Sequence, residues 1–309
     1  MIGFTTEQRR VCVGDLEFGG QPGERPPVLV ATAFVGKRYW TMNDDARTAA
    51  FEALESALTL AQVTGVPFLP DVAVRDLSTL PERIEVVSDV LPPDAPFSVD
   101  IPDPALRPAV LEHLGKSGLL DRTIYNSLNI GITKEEREAL ASNTPAAAIV
   151  LAFNPADPST DGRLAILEDG AKLLDTGLLA IAEDAGIDRV LLDTGATPFG
   201  TGAAECLRAI PVFKSRFGLP VGCALHNTLH AWGWMRGWRE GRPADFDAAD
   251  AAAAALPVSW GADLVLTGRV ENTPLVYPPV AFTARLVAEG AEDYFGVAVP
   301  DDHPARRLP

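Results

Sequence analysis

Apolar residues gather into eight short runs of Val, Ile, Leu and Ala, and most of these runs close on an Asp, an Asn or a Gly/Pro-rich loop. The runs are residues 28–34 (VLVATAF), 67–72 (PFLPDV), 96–100 (PFSVD), 122–126 (RTIYN), 147–154 (AAIVLAFN), 189–193 (RVLLD), 220–227 (PVGCALHN) and 262–267 (ADLVLT). Near-continuous apolar character, without strict alternation, suits strands buried on both faces. Asp100, Asn126, Asn154, Asp193 and Asn227 therefore fall at the ends of predicted strands.

The intervening segments carry apolar residues at three- and four-residue spacing, with helix punctuation. Asp44 or Asp45 is placed to cap a helix that stops before Gly65. Asp103 followed by Pro104 predicts a cap with proline at the first helical position, and this helix ends near Gly115 to Gly118. Thr133 and Glu136 form a capping box. A helix from about Gly202 to Phe217 stops at Gly218, and Pro220 opens the next strand.

Strands that alternate with helices predict a parallel sheet, because parallel neighbours need crossover connections. Eight of them predict a (β/α)8 TIM barrel, an α/β fold, as one domain spanning residues 1–309 with an N-terminal extension of about residues 1–27. The length beyond a typical ~250-residue barrel falls in that extension, in Pro155–Gly186 and in residues 228–259. An open doubly wound sheet is the competing architecture. It would usually place a glycine-rich phosphate turn after the first strand, where this chain reads Val35-Gly36-Lys37-Arg38.

Composition narrows the function. Of 309 residues 47% are hydrophobic, enough for a large core, and no apolar run approaches the ~20 residues of a membrane helix. The first ten residues show no secretory signal, so a cytoplasmic, soluble protein is expected. A formal charge of −16 argues against nucleic acid as partner. Cys12, Cys206 and Cys223 lack metal or redox spacing. His226 and His230 stand four apart, but no third ligand is evident, and no metal site is expected.

What remains is a set of carboxylates and neutral amides on the C-terminal rim, the end of this fold that carries the chemistry. A carboxylate accepts two parallel hydrogen bonds from the N–H and NH2 edge of a 2-amino-4-oxo pyrimidine. Asn offers both a donor and an acceptor to the remaining ring atoms. Such a rim is better equipped for a pterin than for a phosphate or a metal.

Eight blocks in order along the chain resemble the H-subunit family of tetrahydromethanopterin S-methyltransferase, which includes soluble relatives acting on tetrahydrofolate. They are Gly19-Gly20-Gln21-Pro22-Gly23-Glu24, Arg122 through Asn129, Ala148 through Pro155, Leu192 through Pro198, Gly218 through Gly222, His226-Asn227, Val270-Glu271-Asn272 and Asp302-His303-Pro304. The resemblance implies a pterin-binding barrel. It would move a methyl group between N5 of a reduced pterin and the cobalt of a corrinoid, such as cobalamin, carried by a separate corrinoid-binding protein.

By position, the resemblance makes Asp100, Asn126 and Asp193 pterin anchors, with Asn154 beside them, and makes Asn227 the amide that reaches N5. Asn227 and Asp193 are the residues expected to support catalysis. Where the family tends to have Asp-Ser-Thr at the third strand, this chain has Asp100-Ile101-Pro102. A tertiary amine leaves poorly unless its nitrogen gains positive character, so a proton or strong hydrogen bond at N5 is required. Cobalt(I) is itself the nucleophile, and none need come from the protein.

Tetrahydrofolate is the expected pterin and tetrahydromethanopterin the alternative; a homodimer is expected by analogy with related barrels. Lys37, Arg38, Arg75 and Arg269 follow rim strands as candidate contacts for an acidic tail or a phosphate, with ordinary surface ion pairing the competing reading. Trp232, Trp234 and Trp238 read by default as packing residues, with a wall of a docking face as the alternative. Glu271 and Asn272 are secondary contacts. Two other classes stay open: a dihydropteroate-synthase-like condensing enzyme, and a non-catalytic subunit that docks a corrinoid protein. The first should carry a Lys near the seventh strand and an Arg-x-His near the eighth, where this chain has Leu225-His226-Asn227 and Gly268-Arg269-Val270.

Overall fold

A computed structural model describes residues 3–308. An antiparallel hairpin, β1 (Arg10–Val13) and β2 (Leu16–Gly19), precedes eight barrel strands. These are β3 (Val28–Ala33), β4 (Phe68–Ala73), β5 (Phe97–Asp100), β6 (Thr123–Leu128), β7 (Ala147–Leu151), β8 (Val190–Asp193), β9 (Val221–Cys223) and β10 (Leu264–Arg269). Each pairs in parallel with the next, and β10 returns to pair with β3. That closure excludes the open sheet and establishes the TIM barrel.

All eight apolar runs became strands, with four endings displaced by two residues or more: β6 runs on to Leu128, two residues past Asn126, and β10 to Arg269, two past Thr267, while two strands stop short. β7 stops at Leu151, three residues before Asn154, and β9 stops at Cys223, four before Asn227. Asn227 is instead the second residue of a helix, His226–Ala231.

Strand alternation divides the core. The inward rows, among them Val28, Val30, Leu69, Ile149, Leu191 and Leu264, pack with Val11, Val13, Leu16 and Phe18 of the hairpin. The N-terminal segment is thus a plug in the lower mouth of the barrel. Lys214, from helix Glu205–Phe217, anchors it: its buried ammonium lies 2.6 Å from both carboxylate oxygens of Asp263 and 3.0 Å from the Gly20 carbonyl. Gly23, at φ 84, passes so close to Ala288 that a Cβ would lie 2.8 Å from its Cα. The Gly19–Glu24 block therefore serves closure of the barrel floor. The outward rows pack against the helices in a larger cluster, from Ala31 to Val270.

The helix caps follow the sequence with three changes. The helix expected from Asp103 and Pro104 begins only at Arg107, with Leu106 as its cap, and Asp103 accepts from the Ala105 N–H at 3.0 Å in the turn before it. Asn43, ahead of the expected Asp44 or Asp45, accepts from the Ala46 N–H at 3.0 Å, and the two aspartates fill the first turn. Thr133 caps its helix as expected, but Glu136 does not reach back. Its buried carboxylate instead accepts from Arg107 at 3.0 Å and from the Tyr125 hydroxyl at 2.6 Å, joining two helices to β6. Residues 155–186 form helices Thr160–Glu168 and Leu178–Asp184, and the insertion after β9 forms His226–Ala231, Gly233–Gly241 and Pro243–Ser259. Among the described residues, no helix is long and apolar enough to cross a membrane.

Candidate active site

Moving up the barrel, the inward rows change from apolar to polar. Thr32 pairs in register with Asp71, Asp71 with Ser98, and Asp100 with Asn126. Alternation turns these side chains to the same interior. Asp193 ends β8 and is 7% exposed. Asp100, Asn126 and Asp193, read from different stretches of sequence, thus come together at the upper end of one barrel interior.

The centre of this layer is Asp71, which the sequence pattern alone did not single out. It is 3% exposed. The Thr32 hydroxyl donates to its Oδ2 at 2.9 Å, while the Ser98 hydroxyl and the Asn126 amide, at 3.2 Å, donate to its Oδ1. Burial pushes its pKa up, and the three donors oppose that shift. The signal was available: a carboxylate inside a strand whose every residue is buried must be hydrogen-bonded or functional.

Asp100 stands beside it, half-buried and, among the described residues, without a hydrogen bond of its own side chain. Burial first, and the neighbouring Asp71 second, raise its pKa to about 7; Arg75 and Arg107 oppose them. Asp193 is raised to about 6 by burial, against the Gly195 N–H, which donates to it at 2.9 Å, and the more distant charge of Arg163. Arg163 is buried and bonded to three carbonyls, those of Pro158, Thr194 and Gly202. It clamps the loops after β7 and β8 and so fixes Asp193.

A cavity of about 480 Å³ meets this layer at Thr32 and Asp100. Thr32 and Asp100 line its barrel side and His226, Asn227 and Asn272 another, while Arg75, Arg239 and Arg269 also border it. The side chain of Asn227 makes no hydrogen bond among the described residues. His226 has its Nδ1 3.0 Å from the Leu266 carbonyl, and burial lowers its pKa to about 4. His230 is engaged with Asp250 at 3.1 Å. Among the described residues no three His, Cys, Asp or Glu side chains are grouped to hold a metal.

Several expected residues stand elsewhere. Asn154 is buried and turned to the backbone: its amide donates to Gly162 at 2.9 Å, and its carbonyl accepts from Ala156 and Asp157. This correction removes it from the rim set, since an Asn beyond a strand end also satisfies a turn. Glu271 accepts from the Tyr39 hydroxyl at 2.7 Å, away from the cavity. The tryptophans do not pack inward, contrary to the default expectation. Trp232, Trp234 and Trp238 stack at 4.8 and 4.6 Å, with Trp232 38% and Trp234 55% exposed.

A closed parallel barrel with buried carboxylates and an amide at the upper end of its interior defines the class: a (β/α)8 barrel with a polar site at the C-terminal ends of its strands. Solved structures share the fold. A dihydropteroate synthase from Coxiella burnetii in complex with pteroic acid superposes with TM-score 0.59 at 17% identity, covering 89% of this chain and 98% of that one. One from Xanthomonas albilineans gives 0.54 at 21%, covering 87% and 96%.

The chain belongs to the family described as tetrahydromethanopterin S-methyltransferase MtrH subunit, which it matches over residues 6–299. It is 34% identical to the H-subunit of tetrahydromethanopterin S-methyltransferase from Methanothermobacter marburgensis, over all of both chains. The corresponding protein of Methanosarcina barkeri is likewise 34% identical, and the H-subunit of a putative mtx methyltransferase of that organism 33%, each over the full length of both chains. This places the protein among methyltransferase subunits and sets aside the condensing-enzyme reading.

Proposed function

We propose that the protein transfers a methyl group between N5 of a reduced pterin and the cobalt of a corrinoid presented by a separate protein. The observation that carries this reading is the polar layer of Asp71, Asp100, Asn126 and Asp193, met at Asp100 by a cavity whose wall includes Asn227, a side chain without a hydrogen bond among the described residues. The relatives are named for tetrahydromethanopterin, which favours that pterin over the tetrahydrofolate expected from the sequence.

Each side chain has a distinct task. Asp193, held by the Gly195 N–H, accepts from the 2-amino and N3 edge of the ring. Asn126, oriented by Asp71, and Asp100 engage the remaining ring edge. Asn227 lies near N5 and hydrogen-bonds the nitrogen as its methyl departs, which is where charge develops in the transition state. Asp100, whose pKa is raised to about 7, accepts from the ring as its carboxylate, so pterin binding draws it to the ionised form. The corrinoid is a substrate and supplies the attacking cobalt(I), so the protein's contribution is alignment and electrostatics. A homodimer rests on analogy with related barrels alone.

The test mixes the purified chain with cob(I)alamin and either methyl-tetrahydromethanopterin or methyl-tetrahydrofolate and follows the cob(I)alamin absorbance. Loss of that signal with the first pterin, abolished in Asp193→Ala, is expected. Loss with methyl-tetrahydrofolate alone would transfer the activity to folate. No loss with either, together with no pterin binding by calorimetry, would leave the docking-subunit reading.

A further inference from the structure

The mouth of the cavity carries a charge pattern that the ring chemistry does not use. Arg75 follows β4, Arg239 lies on helix Gly233–Gly241, and Arg269 ends β10. Three elements far apart in sequence thus bring three guanidinium groups to one cavity, in a chain of net charge −16. None of the three forms an ion pair among the described residues. Other arginines do find carboxylates, as Arg47 does with Glu85 and Arg137 with Asp175.

Two of the three are also held in place. The Arg239 guanidinium lies over the Phe246 ring, 5.7 Å from its centroid, and Phe246 itself borders the cavity. The Arg269 guanidinium packs against Gly36, where a Cβ would stand 3.1 Å from its Nη2. Gly36, at φ 109, thus gives the loop after β3 room to pass it. Asp247 is the one carboxylate near these groups that lines the cavity apart from Asp100.

Like charges brought together without counter-charges raise the local potential and recruit an anion, and guanidinium groups match carboxylate and phosphate oxygens. The polarity of the cavity is therefore divided: hydrogen-bond acceptors below, cations at the mouth. We infer that Arg75, Arg239 and Arg269 form an anion subsite for the carboxylate or phosphate groups of the tail of the pterin substrate. This rests on the pterin reading above, and the division matches a ligand with a donor-rich ring and an anionic tail.

The experiment measures affinities by calorimetry for tetrahydromethanopterin, tetrahydrofolate mono- and triglutamate, and the tail-free 6-methyltetrahydropterin. The proteins are the full chain and its Arg239→Gln/Arg269→Gln double variant; Arg75 is left intact because its charge also acts on Asp100. The expected result is that a tailed pterin binds the native chain more tightly than the tail-free one, with the excess falling as salt rises. The double variant should lose about tenfold for the tailed ligand and keep its affinity for the tail-free one. A loss for the folate glutamates, whose tails carry no phosphate, shows that carboxylates suffice as the anion.

Equal losses for tailed and tail-free ligands, or none for either, overturn the subsite while leaving the pterin reading standing. Failure of 6-methyltetrahydropterin and all three tailed pterins to bind the native chain overturns the pterin reading and the subsite with it.

Discussion

Asp71→Asn isolates one charge at the centre of the site. The replacement is nearly isosteric, and its carbonyl oxygen in the place of Oδ1 still accepts from Ser98 and Asn126. The new NH2 then faces Thr32, whose hydroxyl rotates from donor to acceptor. The fold should survive while the negative charge beside Asp100 is removed. Asp71 is the register partner of Ser98, two residues before Asp100 on the same face, so the two carboxylates are diagonal neighbours at about 7 Å.

At that separation the repulsion is about 2.4 kcal/mol for an effective dielectric near 20, or roughly 1.7 pH units, and about 0.4 units in bulk water. We take a shift of roughly one unit, which moves Asp100 from about 7 towards ~6. The sign follows: a lower pKa leaves more carboxylate at pH 6, and the pterin edge needs that carboxylate as acceptor. The assay is calorimetric pterin affinity from pH 5.5 to 8 for both proteins, a comparison in which the ligand's own titration cancels. The affinity of the variant relative to the native chain should rise about fivefold between pH 8 and pH 6. A ratio independent of pH, in a variant with native circular dichroism, would refute the coupling.

Asn227→Ala should lower the methyl-transfer rate about a hundredfold with pterin affinity changed less than about threefold, since its hydrogen bond is used as the methyl leaves; stopped-flow kinetics with cob(I)alamin reads both. Asp100 and Asp193 titrate near 7 and 6, above the usual carboxylate range. A ring that requires them ionised must expel protons at low pH, so binding at pH 5.5 should release about one proton or more and at pH 8 almost none. Calorimetry in buffers of different ionisation heat measures this. Lys214→Met strands the buried Asp263 carboxylate and should cost about 3–5 kcal/mol of stability in denaturant unfolding, and Lys214→Met/Asp263→Leu should recover much of it.

The strands were legible because burial on both faces forces near-continuous apolar runs, and the ends of those runs exposed Asp100, Asn126 and Asp193. Asp71 escaped notice for the same reason: it lies within a run that otherwise reads as core. Asn154 shows the converse ambiguity, since the Asn of a turn and the Asn of a binding rim look alike until their partners are seen. Asn227 was placed on a strand because Ala224-Leu225 prolongs the apolar run, although β9 spans only Val221–Cys223. The tryptophan ladder satisfies its faces by stacking on itself, and spacing alone does not separate that from core packing. The three arginines at the cavity mouth come from distant stretches, and Arg239, on an inserted helix, had no sequence signal linking it to the other two.

The position of the bound pterin is the central claim, and a crystal structure with methyl-tetrahydromethanopterin bound decides it. The pyrimidine edge should lie on the Asp193 carboxylate, Asn126 and Asp100 on the same ring, and N5 within hydrogen-bond distance of the Asn227 amide. A ring bound away from Asp193, or N5 turned away from Asn227, would contradict it.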